Sequence, residues 1–337
     1  MSATVLHTDV GVSDEKQAAA KSAGRRFGAL VVRLGAIMAY FVVFAPGFTS
    51  TFNLINVVEQ SAILGVLAYG MTAVIIGGGS DVTEGGIDLS IAANMGLCAA
   101  IYATLLSMGY GDFLSVIAAI AVGMAVGALN ALAVVGLGIL PLLATLAVLN
   151  VAAGMELTLT QNTVVGASSP LLGVLVSGSF LGISALAWAL IVFSAIMIVV
   201  VHGTSFGLRL YAVGGHPEAA RAAGISVPFY VSFTYVLSGF CAAVASILTV
   251  SRLSASTPGS GELLLSVLAA ALLGTVFSRR FVPTMGGTLL SVLFIGLLAN
   301  GFQLLNVSSY WVNGVQGALI LLVVAITSFA RGSEGSR

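Results

Sequence analysis

Apolar residues run along this chain in long unbroken stretches, and the few charged residues fall between them. Charge-free stretches extend from Leu34 to Val58, Gln60 to Ser80, Leu89 to Gly111, Phe113 to Met155, Leu157 to Leu208, Ala222 to Ser251, Leu263 to Ser278 and Phe281 to Ala330. An ionised side chain at mid-bilayer costs ~2.5–3.5 kcal/mol even on the lenient insertion scale. Such stretches are therefore candidate membrane crossings, at about 20 residues for each helix. Cutting them at their Gly, Pro, Asn and Ser clusters predicts ten spans: Ala29–Pro46, Leu54–Gly78, Asp88–Met108, Phe113–Val135, Leu140–Thr160, Ile183–His202, Val227–Val250, Glu262–Phe277, Thr284–Leu304 and Trp311–Phe329. The eighth is the shortest. The runs are continuous and lack the in/out alternation of barrel strands, so the expected fold class is an all-α integral membrane protein.

Composition agrees: of 337 residues 58% are apolar and 7% charged, against about 25% charged in a soluble domain. Lys plus Arg and Asp plus Glu each number 12, a balance that offers no field for nucleic acid. The distribution of the basic residues is what carries information. With ten spans and both termini in the cytoplasm, Lys16, Lys21, Arg25, Arg26, Arg33, Arg209, Arg221, Arg279, Arg280, Arg331 and Arg337 all lie inside, and only Arg252 lies outside. That is the asymmetry of the positive-inside rule. The chain then divides into a polar cytoplasmic arm (1–28), a transmembrane domain (29–329) with a large cytoplasmic loop (203–226), and a short cytoplasmic tail (330–337). The first span has no convincing cleavage site behind it and reads as a retained anchor.

The chemistry that is missing narrows the function. No GxxxxGK[ST] phosphate loop, HExxH, CxxC or GxSxG occurs, and His7, His202 and His216 are scattered. Cys98 and Cys241 sit inside apolar runs and read as packing residues, so no metal site is expected. Without a relay of intramembrane acids a proton-coupled carrier has little to work with. Ala119, Gly123, Gly127 and Ala131 recur every fourth residue on the fourth span and read as a close helix-packing stripe. Asn94, Asn130, Asn150, Glu156, Thr158, Asn300 and Gln303 place polar groups inside spans. Each is either an interhelical hydrogen bond or part of a substrate path. Asp88 is expected to cap the third helix.

The most informative segment is the loop TSFGLRLYAVGGHPEAARAAGIS. Pro217 suits a first helical position, Glu218 complements the positive end of the dipole, and Gly224 can adopt the left-handed stop. A short helix, Pro217 to Ala223, follows, with Ala219, Ala220, Ala222 and Ala223 offering a small-residue surface. It is either a solvated connector or a grip for a partner protein.

YAVGGHPEAARAAGI (Tyr211–Ile225) resembles the Glu-Ala-Ala loop of permease subunits of bacterial ATP-binding-cassette importers, in the ribose/xylose-type monosaccharide branch. GGIDLSIAANMG (Gly85–Gly96) looks like the Gly-Gly-Ile-Asp-Leu-Ser signature of that branch, carried here by Gly85, Gly86, Asp88 and Ser90. Gly127–Gly154 and Leu297–Leu321 are similar to the family's fourth–fifth and ninth–tenth span regions. Two departures stand out: Gly77–Ser90 is longer than the family's pattern, and Glu156 replaces a small or apolar residue.

The resemblance implies a membrane subunit, not an enzyme, in the bacterial inner membrane. It carries no cofactor itself; ATP and Mg would sit on cytoplasmic ATPase partners. A second permease subunit, identical or related, and a periplasmic sugar-binding protein complete the implied assembly. Pro217, Glu218, Ala219, Ala220 and Gly224 would couple to the ATPase, and the cargo would be a small sugar or polyol. Sister branches carrying branched-chain amino acids or nucleosides share the architecture, and an autonomous secondary carrier is the remaining alternative.

Overall fold

The computed structural model describes residues 32, 35–79, 85–259, 262–278, 282–308, 311–318 and 320–321. The polar arm, residues 80–84 of the lengthened Gly77–Ser90 segment, Arg33, Arg279, Arg280, the far end of the tenth span and the tail lie outside the described residues.

The helices are α1 (Gly35–Phe44), α2 (Thr51–Gly78), α3 (Ile91–Ser107), α4 (Asp112–Ala131, continued by a π-turn at Leu132–Gly136), α5 (Pro141–Thr160), α6 (Pro170–Ser177), α7 (Ala185–Gly203), α8 (Ser205–Gly215), α9 (Pro217–Ala222), α10 (Val227–Leu253), α11 (Leu263–Val276), α12 (Met285–Leu304) and α13 (311–318). Two-residue strands form two small antiparallel pairs, β1 (Val165–Gly166) with β4 (Ala255–Ser256) and β2 (Ser179–Phe180) with β3 (Ile183–Ser184). Among the described residues six helices, α2, α4 with its π-turn, α5, α7, α10 and α12, are long and apolar enough to cross a membrane. The chain is an all-α membrane protein.

Local chemistry sets the boundaries. Ser50, Ser169, Ser184 and Thr284 each accept the backbone N–H three residues on, capping α2, α6, α7 and α12. Pro141, Pro170 and Pro217 begin helices, where their missing N–H costs nothing. Two helices were not expected. α6 lies inside a charge-free run and is announced by the Ser169–Pro170 pair rather than by charge. α8 precedes the predicted loop helix and is broken from α9 at His216, whose φ of −144° is the extended backbone that a following proline enforces. α9 ends one residue earlier than expected, at Ala222.

α2 and α10 run through the middle of the bundle and are buried on most sides, whereas α4, α5 and α7 are buried along one face. Their other faces carry exposed Phe113, Leu143 and Val192, as lipid contact allows. α10 packs on α2, α3 and α4. Lipid supplies no hydrophobic drive between helices, so close approach of small residues holds such contacts. The stripe Ala119–Gly123–Gly127–Ala131 faces α10, and a Cβ at Gly123 or Gly127 would run into the carbonyls of Gly239 or Tyr235. The stripe is therefore a packing seam.

A polar knot ties α3, α4 and α10 together around Asp88. The third helix starts at Ile91 with Ser90 as its cap residue, not at Asp88. Asp88 Oδ1 accepts the Ser90 N–H (3.0 Å), the Ser90 hydroxyl (2.6 Å) and the Asn130 amide (3.2 Å). Asp88 Oδ2 accepts the Ser238 hydroxyl at 2.6 Å. The Asn130 amide also donates to Ser90 Oγ at 2.7 Å. Asp88, Ser90, Asn130 and Ser238 are all fully buried. Having moved from one helix end to the junction of three helices, the carboxylate does more than a cap would.

Gly127→Leu is expected to separate α4 from α10 and to abolish recovery of monodisperse protein in detergent, measured by size-exclusion chromatography; wild-type recovery would show that the seam tolerates a gap. Asp88→Ala strands buried donors at about 1–3 kcal/mol each and should lower the thermal midpoint in detergent, while Asp88→Asn, which keeps an acceptor oxygen, should fall between. Equal midpoints for Asp88→Ala and wild type would remove the knot from the stabilising interactions.

Candidate functional site

Two ends of the bundle are chemically distinct. At one end the last turns of α10, the first half of α2, the second half of α12 and the neighbouring parts of α3, α11 and α13 enclose a cavity of about 920 Å3. Its walls carry the amides of Gln60, Gln303, Asn306, Asn313 and Gln316 and the hydroxyls of Ser61, Thr249 and Ser266. Arg252 and Glu262 also line it. Ser266 Oγ donates to Gln316 Oε1 at 2.8 Å, fixing α13 on α11. Ser61 is 2% exposed and its hydroxyl has no hydrogen-bond partner among the described residues. Beside the cavity, the side-chain amides of Asn53 and Asn300 bond reciprocally at 2.8 and 3.0 Å, joining α2 to α12 one turn from Gln303. Neutral donors and acceptors on several helices suit a small polyhydroxylated guest, because each can either give or receive a hydrogen bond.

Of the sequence-predicted path residues, Gln303 lines this cavity. Asn94 points elsewhere: its amide donates to the Gly123 carbonyl at 3.1 Å, across the α3–α4 contact. Asn130 belongs to the Asp88 knot and Asn300 to the amide pair. Asn150 and Thr158 are exposed and bond to carbonyls of their own helix, Leu146 and Gly154. Glu156 is buried near the end of α5, away from the cavity. Sequence reasoning missed Gln60, Arg252, Glu262, Asn306, Asn313 and Gln316 as a group. The spacing of Asn313 with Gln316, three apart on α13, does place that pair on one helical face, whereas Asn306 lies beyond the end of α12 at φ +55°. Arg252 is the single basic residue that the expected topology puts outside.

At the opposite end, α9 projects from the bundle. Pro217, Glu218, Ala219 and Ala222 through Gly224 are exposed, while Ala220 is buried against the body. Glu218 and Arg221 form a 2.5 Å ion pair across one turn of this surface, worth little in itself. The helix closes with Gly224 at φ +78°, where the N–H groups of Gly224 and Ile225 bond to the carbonyls of Arg221 and Ala220 at 2.9 Å. That left-handed stop disfavours any side chain.

α8 seats α9 on the bundle. Gly214 lies directly against the Ile76 carbonyl in the last turn of α2, with no room for a Cβ. Gly86, from the signature segment, packs on the same turn, and its N–H donates to the Gly79 carbonyl at 3.2 Å. Gly85 is buried beside it. Tyr211 Oη donates to the Pro283 carbonyl at 2.7 Å, at the entrance of α12. Burial pushes the Tyr211 phenol up to about 12, so it remains a donor at any physiological pH. Two residues on, the Met285 N–H donates to His202 Nε2 at 3.2 Å.

Known proteins put these two ends in context. The family described as branched-chain amino acid transport system / permease component matches residues 23–324. The chain is 33% identical to the ribose import permease protein RbsC of Bacillus subtilis over 309 residues, 89% of this chain and 94% of that protein. It is 32% identical to the ribose import permease protein RbsC of Escherichia coli, over 88% of this chain and 92% of that protein. It is 30% identical to the L-arabinose ABC transporter permease protein AraH of Azospirillum brasilense, over 90% of each. No solved structure matches. A match over most of the chain, together with relatives of this identity and coverage, shows that the chain belongs to the family of branched-chain amino acid transport system / permease components.

Proposed function

We propose that this chain is the membrane-spanning permease subunit of an ATP-driven importer in a bacterial inner membrane, passing a small sugar or related polyol into the cytoplasm. The observation that carries the reading is the cavity lined by amides and hydroxyls at the end of the bundle opposite the α9 projection. Similarity to ribose and arabinose import permeases supports the same class of cargo. In this reading ten spans leave both termini cytoplasmic, and α1, α3, α11 and α13 belong to the spans that complete the ten. The cavity then faces the periplasm and receives cargo from a binding protein, while α9 faces the cytoplasm.

The partners are two ATPase subunits, which hold ATP and Mg, and a second permease subunit. Pro217, Glu218, Ala219, Ala220 and Gly224 form the seat for the ATPase and touch no cargo. Physically, a rigid helix held in a groove of the ATPase converts nucleotide-driven closure into a rocking of the spans, opening the cavity first to one side and then to the other. A weakly binding cavity serves this better than a tight one, because cargo held strongly would not leave.

A second reading, a permease for branched-chain amino acids, is favoured by the family's description. Arg252 and Glu262 on the cavity wall would suit the carboxylate and ammonium of an amino acid, whereas the amides of Gln60, Gln303, Asn306, Asn313 and Gln316 outnumber what a branched aliphatic side chain can use.

Uptake of radiolabelled ribose, arabinose and leucine into cells expressing the complete importer separates the two. Sugar uptake is expected, and Gln303→Leu or Gln316→Leu should reduce it about 2–10-fold, the loss of one hydrogen bond of ~0.5–1.5 kcal/mol, at unchanged membrane abundance. Leucine uptake without sugar uptake would overturn the sugar assignment. For the coupling seat, Gly224→Val is expected to leave insertion normal but to prevent co-purification of the ATPase; retention of the ATPase together with full uptake would make the loop a passive connector.

A further inference from the structure

α12 is, with α2 and α10, one of the long helices that reach both functional ends. Its first residues meet the coupling region, and Ile295, Gly296, Ala299 and Gln303 on its second half line the cavity. At about 1.5 Å per residue its 20 residues make a rod of roughly 30 Å. What fastens the rod to the coupling region is specific. The Met285 N–H is the first orphan donor of α12, normally satisfied by a cap or water. It is met instead by His202 Nε2 from the end of α7. The carbonyl of Pro283, two residues earlier, is held by Tyr211 Oη from the middle of α8. The two rings lie 6.0 Å apart and tilted by 31°, forming one clamp around residues 283–285. α12 already has a cap of its own, Thr284 Oγ on the Gly287 N–H. The clamp is therefore not needed merely to begin the helix.

α8 is itself immobilised. Gly214 rests on the backbone of α2, Gly207 rests on the last turn of α7, and α9 follows after the single residue His216. A displacement of α9 is consequently passed to α8 without slack, and α8 in turn touches α7, α10, the end of α2 and, through Tyr211, the foot of α12. Further up, α12 is linked to α2 by the 2.8 Å hydrogen bond between Thr72 and Thr288, and then by the Asn53–Asn300 pair. These links give the rod a bearing against which to tilt.

We propose that α12 is the lever that carries motion of the coupling helix to the cavity wall, and that Tyr211 and His202 are the positioning residues that grip its foot. The proposal rests on the reading of α9 as the ATPase seat. Removing the clamp should leave the ATPase bound and able to trap nucleotide while the cavity ceases to respond.

The test uses the assembled transporter, permease with its ATPase, in lipid nanodiscs, with Ala299→Cys as a reporter on the cavity wall. Cys98 and Cys241 are buried and give a quiet background. The probe is a charged, membrane-impermeant thiosulfonate, and the measured quantity is its labelling rate with and without vanadate-trapped nucleotide. With the clamp intact, trapping is expected to change the rate at least fivefold. In Tyr211→Phe/His202→Leu the change should shrink below twofold with trapped nucleotide undiminished, and His202→Gln, which keeps an acceptor, should retain most of it. The single variants Tyr211→Phe and His202→Leu are read in the same way and decide the matter if the double variant does not assemble.

A full fivefold response in the variants, or no response of the reporter even with the clamp intact, would overturn the lever. Loss of the ATPase from the single variants would overturn it too, by making the clamp an assembly contact. Gly224→Val separates the underlying reading: an unchanged reporter response in that variant would indict α9 as the seat, whatever the clamp does.

Discussion

A carboxyl group withdrawn from water into a helical bundle must find its hydrogen bonds inside the protein, and the arrangement around Asp88 shows how far that requirement reaches. Its two oxygens accept from Ser90, Asn130 and Ser238, so the start of α3 is fixed to α4 and to α10. The approach of α4 to α10 in turn requires glycines at 123, 127 and 239, because backbone meets backbone there. Polar satisfaction and small-residue packing are thus two sides of one contact. The first demands that helices come close, and the second permits it.

The same seam explains why the cavity forms where it does. α10 is held to α4 along one face, and α2 occupies another; at its far end α10 carries Thr249 and Arg252 into open space beside α12. No seam of glycines continues there. Amides and hydroxyls line the gap instead, and one pair of them, Ser266 and Gln316, is tied together across it. A bundle packed tightly at one level and loosely at another has a natural place to bind weakly and to move.

Much of this architecture was legible in the sequence, and the reason is energetic. Charges are expensive in hydrocarbon, so gaps between charges located the helices, and Pro217, Glu218 and Gly224 wrote the start and stop of α9 in capping chemistry. What charge cannot mark was missed: α6 and α8 are short helices inside or beside uncharged runs, visible only through Ser169–Pro170 and through the extended residue that Pro217 imposes at position 216. For the cavity the limitation is different. Asn94, Asn130 and Gln303 carry the same side-chain amide, yet one bonds a neighbouring backbone, one serves a carboxylate and one faces open space. A polar residue at membrane depth announces either a partner or an open cavity; which of the two depends on helix rotation, and that is decided by contacts between segments far apart in sequence.

Rotation also accounts for the division of labour between the two ends. The signature glycines 85 and 86 pack on the last turn of α2, and Gly214 of α8 packs on that turn as well. Two segments that look like separate motifs in the sequence therefore converge on one piece of backbone. A side chain at Gly86 or Gly214 would push the coupling region away from the bundle, whereas the cavity wall is that close-packed at Gly296, against Ser61, and otherwise owes its character to polarity. Residues that transmit motion must be fixed by shape, because a compressible joint loses displacement; residues that pass a solute must be forgiving, because the solute has to leave. The small, close-packed residues at one end and the amides around an open volume at the other are the forms these two demands take in a single chain.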